Sequence, residues 1–350
     1  MEGSDMRRST GGGEFPAAGS GFREEEPLPA TGSEFNLIGE FLRGIPRSRL
    51  PDIRVGAGDD CAVVAGDGIV LGTDLCVEDV HFRRSWLTGE EIGYRAAAAA
   101  LSDLAAMAAR PIGVLASLGV AARDADTLAA EVMRGVRAAV EAFGGQLLGG
   151  DLTRSPGPLI LDLVGVGESG TPVLRTGATP GDEIWVTGAL GGAGAAVSAW
   201  MAGGQPEPDA RNAFANPVPR IREALWLASR GLPRAMLDLS DGIGGDLGHL
   251  ATMSNVAVVL DAQAIPVHAA ARQTDDPLGF ALNGGEDYEL CFAARPGDTE
   301  LFHEEFVKTF HLPLTRVGRV EAGRGVYIIL PDGGRKELNG MGFQHFGDEG

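Results

Sequence analysis

From Glu34 onward, short apolar runs of strand length alternate with longer helix-patterned segments, and that alternation confines the chain to a mixed α/β architecture. The pattern predicts a helix over 35–42, extended segments at 62–64 and 69–73, and a long alanine-rich helix over 89–108. A strand over 114–120, a helix over 125–143 and a strand over 159–166 complete a first unit, with an apolar turn at 146–150 where glycines interrupt the run. The stretch 167–182 is dense in glycine, proline and threonine and marks a break. A second series follows, with helices at 194–201, 220–229, 246–253 and 299–310. Its strands are expected at 183–187, 235–239, 256–260, 289–293, 315–320 and 325–330. The expected organisation is a disordered tail over 1–33, too poor in periodic apolar residues to offset its ordering entropy, then domains over 34–167 and 168–350. A chain of 350 residues that is 44% hydrophobic can fill two cores.

Charge narrows the chemistry. Against 48 acidic residues stand 29 basic ones, a formal charge of −19, which opposes a nucleic-acid footprint and favours cations and small molecules as partners. Lys308 and Lys336 are the only lysines. A Walker lysine behind a glycine loop and the strand lysine of a protein kinase are therefore both excluded upstream of Lys308. Any bound phosphate must be met by arginine, backbone N–H groups or metal ions. Cys61, Cys76 and Cys291 form no C-x-x-C pair, so neither a disulfide framework nor a zinc site is expected. No apolar run has membrane-spanning length, and Arg7-Arg8 are not followed by an apolar signal core, so the expected location is the cytoplasm.

Acidic motifs recur behind glycines or at the ends of apolar runs. Gly58-Asp59-Asp60-Cys61 is followed by Thr73-Asp74, and carboxylates so placed suit magnesium, although a plain glycine turn accounts for the first motif equally well. Leu101-Ser102-Asp103-Leu104 sets an aspartate in an apolar helix, where it needs a partner unless it serves as a cap. Gly149-Gly150-Asp151-Leu152-Thr153-Arg154 lets backbone approach a phosphate or metal, or else begins a strand with surface charges. Asp238-Leu239-Ser240-Asp241-Gly242 closes an apolar strand, with Asp246 beyond it, and lacks the spacing of a calcium-binding EF-hand. Gly284-Gly285-Glu286-Asp287-Tyr288-Glu289 is either a ligand-facing loop or a solvated hairpin. The glycine-rich segment 188–194 does not match G-x-G-x-x-G and is expected to be a close-packing turn. His81 either meets substrate or satisfies a strand end.

In this order, the motifs from Glu34 to Phe346 resemble the thiamine-monophosphate kinase family, within the superfamily that includes aminoimidazole-ribonucleotide synthetase. The combination is specific where each motif alone is weak. The resemblance implies a two-domain α/β (α+β) fold of the aminoimidazole-ribonucleotide synthetase type, its N-terminal sheet forming a barrel across a homodimer and its C-terminal half an α/β sandwich. It implies metal ligation, with several magnesium ions, by Asp60, Thr73, Asp74, Asp103, Asp151, Asp238 and Asp241. It further implies ATP contacts from Gly150, Asp151, Arg175 and Ser240, and thiamine monophosphate contacts from His81, Glu286 and Phe343. Asp60, Asp74, Asp103, Asp151 and Asp241 would then serve catalysis as metal holders rather than proton carriers. This chain departs from the family pattern at Gly72, where a hydroxyl residue is usual, at Asp79 and Ala109, where glycine is usual, and at Phe343, where tryptophan is common. Two other readings fit the motifs: another ATP-dependent enzyme of the superfamily, and a non-catalytic acidic metal-binding protein. Metal-dependent ATP binding separates the second from the rest.

Overall fold

The computed structural model describes residues 53–55, 61–64 and 68–338. The expected tail, the helix over 35–42, Asp59, Asp60 and Phe343 lie outside these residues. The first sheet contains β1 (Ile53–Val55), β2 (Ala62–Val64), β3 (Ile69–Val77), β4 (Arg110–Val120), β5 (Gln146–Arg154) and β6 (Ile160–Glu168). Their order is β1-β2-β3-β6-β4-β5, antiparallel except for the β4–β5 pair. Helices α1 (Gly89–Ala106) and α2 (Leu128–Ala142) cover one face.

Alternation along β3 separates the two faces. Val70 and Cys76 are buried under α1 with Val114, Ala116 and Leu163 of the neighbouring strands. Leu75 and Leu115 project from the other face and are 52% and 40% exposed. That outer face has no covering layer among the described residues.

Helix α1 is buried on nearly every side, because it is sandwiched between the first sheet and the second half of the chain. Its start is a capping box, in which Thr88 accepts from Glu91 N and Glu91 Oε2 accepts from Thr88 N. Small residues allow the close crossing with α2. A Cβ on Gly93 would fall 1.9 Å from the Val132 carbonyl oxygen, and one on Gly135 1.9 Å from that of Glu90.

The second half contributes β7 (Glu183–Thr187), α3 (Gly192–Met201), α4 (Pro208–Ala215), α5 (Ile221–Ser229), β8 (Ala235–Asp238), α6 (Ile243–Ser254) and β9 (Ala257–Asp261). Then come α7 (Pro277–Asn283), β10 (Leu290–Ala294), α8 (His303–Phe310), β11 (Leu314–Glu321), β12 (Gly325–Ile329) and β13 (Arg335–Glu337). The sheet order is β13-β12-β9-β11-β7-β10-β8, with β12–β9 the parallel pair. β7, β8 and β10 are buried along their whole length because both of their faces are covered. Trp185, Met236 and Phe292 point into the core shared with α1, while Ile184, Val186, Leu237 and Cys291 point into a second core under α6.

The expected turn at 146–150 is instead the first half of β5. Parallel pairing to β4 overrides the glycine signal, and the register skips Leu148 as a bulge. Helices α4 and α7 and strand β13 were not anticipated. The helices are too short to establish a period, and β13 is an all-polar edge strand. The helix expected over 299–310 is a 3-10 turn at Glu300–Phe302 followed by α8. Asp79 adopts φ 66, the left-handed conformation that glycine reaches without strain. At the end of α1 the left-handed residue is Ala108, φ 48, one position before Ala109.

Candidate active site

The site lies where α1 meets the loops of the second sheet. Arg95 and Ser102 are seven residues apart, so two helical turns bring them onto the same face of α1. Ser102, far from either end of the helix, does not cap it: its Oγ donates to Asp238 Oδ2 at 2.6 Å, a buried bond tying α1 to the end of β8. Beyond β8, the loop bearing Ser240 and Asp241 pairs with the loop at 284–289. Glu286 N donates to the Ser240 carbonyl at 2.7 Å, and Tyr288 N to that of Leu239 at 2.8 Å. Gly285, Glu286 and Tyr288 all have left-handed backbone, φ 62, 62 and 50, so this loop is strained where it reaches the cleft.

The loop at 284–289 is not a solvated hairpin. Asp287 accepts from Gly191 N at 2.9 and 3.0 Å, and burial pushes its carboxyl well above the usual range. Glu289 is buried in an ion pair with Arg220 and accepts from Thr187 Oγ1 at 2.6 Å. Both carboxylates are structural, and they close-pack the glycine segment at 188–194 as expected. Of the three carboxylates only Glu286 is not taken up by Gly191 or Arg220. All three border an opening of about 250 Å³, with Asp209, Asn212, Asn216 and His268.

Two carboxyls of this region are pushed up by burial and by neighbouring carboxylates. Asp74 on β3 has its carboxyl raised to about 6, mainly by burial and then by the charges of Glu286 and Asp162, against the pull of Arg95. Asp246 is raised well above its usual range by burial, then by Asp241 and Asp238, with Arg175 opposing; its Oδ2 accepts from Asp241 N at 3.1 Å. Carboxylates held this close favour either a proton or a hard cation. Among the described residues, no group of three or more acidic, histidine or cysteine side chains is placed to hold a metal ion. Magnesium asks for fewer protein ligands, since it keeps water and substrate phosphates in its shell.

Asp74 thus lies in electrostatic reach of Glu286 and Arg95, Asp238 and Asp241 lie in reach of Asp246 beside Arg175, and the Ser240 carbonyl is bonded to Glu286 N, while Asp103 is the chain neighbour of Ser102. His81 sits at the edge of this region. Its Nδ1 accepts from Val77 N at 3.0 Å, the strand-end role, and its carbonyl accepts from Arg95 at 3.3 Å. Gly150 and Asp151 stand apart. The cross-strand row Leu75, Asp162, Ser117, Asp151 puts Asp151 on the outer face of the first sheet, three strand spacings from β3, about 14 Å. Thr73 also faces outward, donating to Asp162 Oδ1 at 2.8 Å. Arg95 and Asp162 escaped the motif search, and Tyr288 was quoted within its motif without a role. The available signal was Arg95 itself, a charged residue among alanines, seven positions before Ser102.

This two-sheet fold with its interdomain cleft defines an AIR synthase related protein. The family model described as AIR synthase related protein, N-terminal domain, matches residues 58–169, and the C-terminal domain model matches 179–331. The chain belongs to the thiamine-monophosphate kinase family. It is 32% identical over 320 residues to the thiamine-monophosphate kinase of Rhodopirellula baltica, covering 87% of this chain and 95% of that one. To the Escherichia coli K12 kinase it is 32% identical over 326 residues, 89% and 98% of the two chains. Among solved structures, AaThiL complexed with AMPPCP and TMP superposes with TM-score 0.76 at 29% identity, over 90% of this chain and 97% of that one. The thiamine-monophosphate kinase of Stenotrophomonas maltophilia K279a gives 0.68 at 35%, over 81% and 92%.

Proposed function

We propose that this chain transfers the γ-phosphoryl group of ATP to thiamine monophosphate, forming thiamine diphosphate. The observation that carries the reading is the coupling of Asp74 to Glu286, whose backbone N–H bonds the Ser240 carbonyl in the segment that also carries Asp238 and Asp241. It occurs in a chain that aligns over 90% of its length with a structure holding AMPPCP and TMP. The acceptor is a phosphate monoester with a second pKa of about 6, so it is largely dianionic at neutral pH and needs no strong base. Its obstacle is repulsion from the γ-phosphate.

Magnesium, when bound, offsets that repulsion and favours in-line transfer. The chain's part is to hold it, through Asp74, Asp103, Asp238 and Asp241 in the cleft, with Thr73, Asp151 and Asp60 completing the set. The all-oxygen donors and the absence of lysine before Lys308 both fit a hard cation as the source of positive charge. Ser240, Arg175, Gly150 and Asp151 are assigned to ATP, and His81, Glu286 and Phe343 to the thiamine phosphate. The acceptor phosphate is itself the nucleophile, so transfer is direct, without a phosphoenzyme.

The functional unit is read as a homodimer. The bare outer face of the first sheet carries Leu75 and Leu115 together with Thr73 and Asp151, and a second copy laid on it would bury the leucines and bring its Asp151 towards this chain's cleft. Domains over 34–167 and 168–350 and a cytoplasmic location belong to the same reading; no described helix is long and apolar enough to cross a membrane.

The test incubates purified protein with ATP, magnesium and thiamine monophosphate and follows thiamine diphosphate by chromatography, with free thiamine and an aminoimidazole-ribonucleotide precursor in parallel. Magnesium-dependent product from the monophosphate alone is expected. Turnover of the ribonucleotide precursor instead would replace this reading with another activity of the superfamily.

A further inference from the structure

We propose that Arg95 is a positioning residue for the acceptor site, clamping the Glu286 carboxylate so that one oxygen is held and the other faces the cleft. The inference rests on the assignment of Glu286 to the thiamine phosphate and adds a residue that no motif singled out. Arg95 lies inside α1, 2% exposed. Its Nη2 donates to Glu286 Oε2 at 2.5 Å and to the His81 carbonyl at 3.3 Å, and its Nη1 to the Phe214 carbonyl at 2.8 Å. The guanidinium also stacks over the Phe214 ring, 3.8 Å from its centroid.

Tyr288 Oη donates to the same Glu286 oxygen at 2.6 Å. Two donors thus converge on Oε2, while Oε1 makes no hydrogen bond among the described residues. The Glu286 side chain remains 25% exposed and borders the cleft. A counter-ion serving stability alone is best placed against a fully enclosed partner, because breaking a closed pair is what costs most. Here the cation is enclosed and its anion is open on one side, the arrangement that presents a carboxylate to a ligand.

Two further features agree. Left-handed backbone at Glu286 and Tyr288 persists only where the surroundings over-determine it, and the clamp is that surrounding. Among the described residues Arg95 Nε has no acceptor, so the side chain is placed for its three acceptors and not for its own saturation. Burial works against the Arg95 charge, and Glu286, Tyr288 and Cys76 together outweigh it, keeping the guanidinium protonated. A planar fork meets three acceptors in different directions and stacks on a ring. An ammonium keeps the charge without that geometry. Because the Nη2 that grips Glu286 also holds the His81 carbonyl, two of the three residues assigned to thiamine phosphate are set by one side chain contributed by the first half of the chain.

The test uses the full-length chain with Arg95→Lys, Tyr288→Phe and the double variant, measuring kcat and KM for each substrate and the affinity for magnesium–ATP. Arg95→Lys is expected to raise KM for thiamine monophosphate about ten- to a hundredfold, the loss of a hydrogen bond to a charged group, with magnesium–ATP affinity changed less than about twofold. Tyr288→Phe should act in the same direction by up to about tenfold. The double variant should fall short of the product of the two, since both donors serve one oxygen. If Arg95→Lys fails to fold, Tyr288→Phe decides alone. Unchanged KM for thiamine monophosphate in the folded variants, or parallel loss for both substrates, overturns the proposal. A wild-type chain inactive on thiamine monophosphate overturns the assigned function and this inference with it, whereas an active wild type with unaffected variants overturns only this inference.

Discussion

At the scale of single residues, backbone strain and buried charge give the sharpest expectations. Asp79 holds φ 66 with its side chain 76% exposed and only a 3.9 Å approach to Arg83. Replacing it with glycine removes a left-handed penalty of about 1–2 kcal/mol and adds unfolded-state entropy worth about 0.5–1. Asp79→Gly should therefore stabilise the protein by roughly 0.5–1 kcal/mol, measurable as a higher urea midpoint at unchanged m. Asp74 behaves in the opposite sense. Its folded carboxyl sits at about 6 against 3.8 when unperturbed, so the metal-free folded state binds the proton more tightly than the unfolded chain. The stability it contributes is full below about pH 4 and is lost as pH rises to about 6. In chelator, the melting temperature of wild type should fall more steeply over that interval than that of Asp74→Asn; equal slopes by calorimetry would count against a raised Asp74. Magnesium binds the ionised carboxylate and should therefore raise the melting temperature more at pH 7.5 than at pH 5.

Among the elements, α1 carries the most function for its length. One helix fills the core of the first sheet, crosses α2 at Gly93 and Gly135, and presents Arg95 and Ser102 to the second sheet. Gly93→Ala should cost about 3 kcal/mol, because its methyl would sit 1.9 Å from a backbone oxygen of α2 that cannot rotate away. Equilibrium unfolding measures this, and a cost below about 1 kcal/mol would mean that the helices can separate freely. The alanine run made this helix legible in the sequence to within two residues of its end. β5 was not legible, because Gly149 and Gly150 carry a turn signal that only pairing with β4 overrides. α4 and α7 begin with proline and end within eight residues, too short for a periodic signal.

For the whole molecule, the outward Thr73 and Asp151 and the inward Asp74 would make the proposed dimer a matter of catalysis as well as assembly. If Asp151 serves the partner's cleft, co-expressing Asp151→Asn with Asp241→Asn, each inactive alone, should restore about a quarter of wild-type activity, since half of randomly paired dimers contain one complete site of two. No recovery in verified mixed dimers would place Asp151 in its own chain's site or outside catalysis. The sequence by itself determined the α/β class, the exclusion of lysine-based phosphate binding and the acidic motifs, because composition, apolar period and glycine spacing are local properties. It also sufficed to indicate the family, because an ordered set of motifs survives where single ones are ambiguous. Only the tertiary structure decided which carboxylates are free for ligands: Asp287 and Glu289 are consumed by Gly191 and Arg220, and Glu286 is left facing the cleft. It also brought Arg95 to a loop 191 residues away. Such choices depend on which buried charges meet across the domain interface, and those meetings are set by packing rather than by any neighbour in the chain.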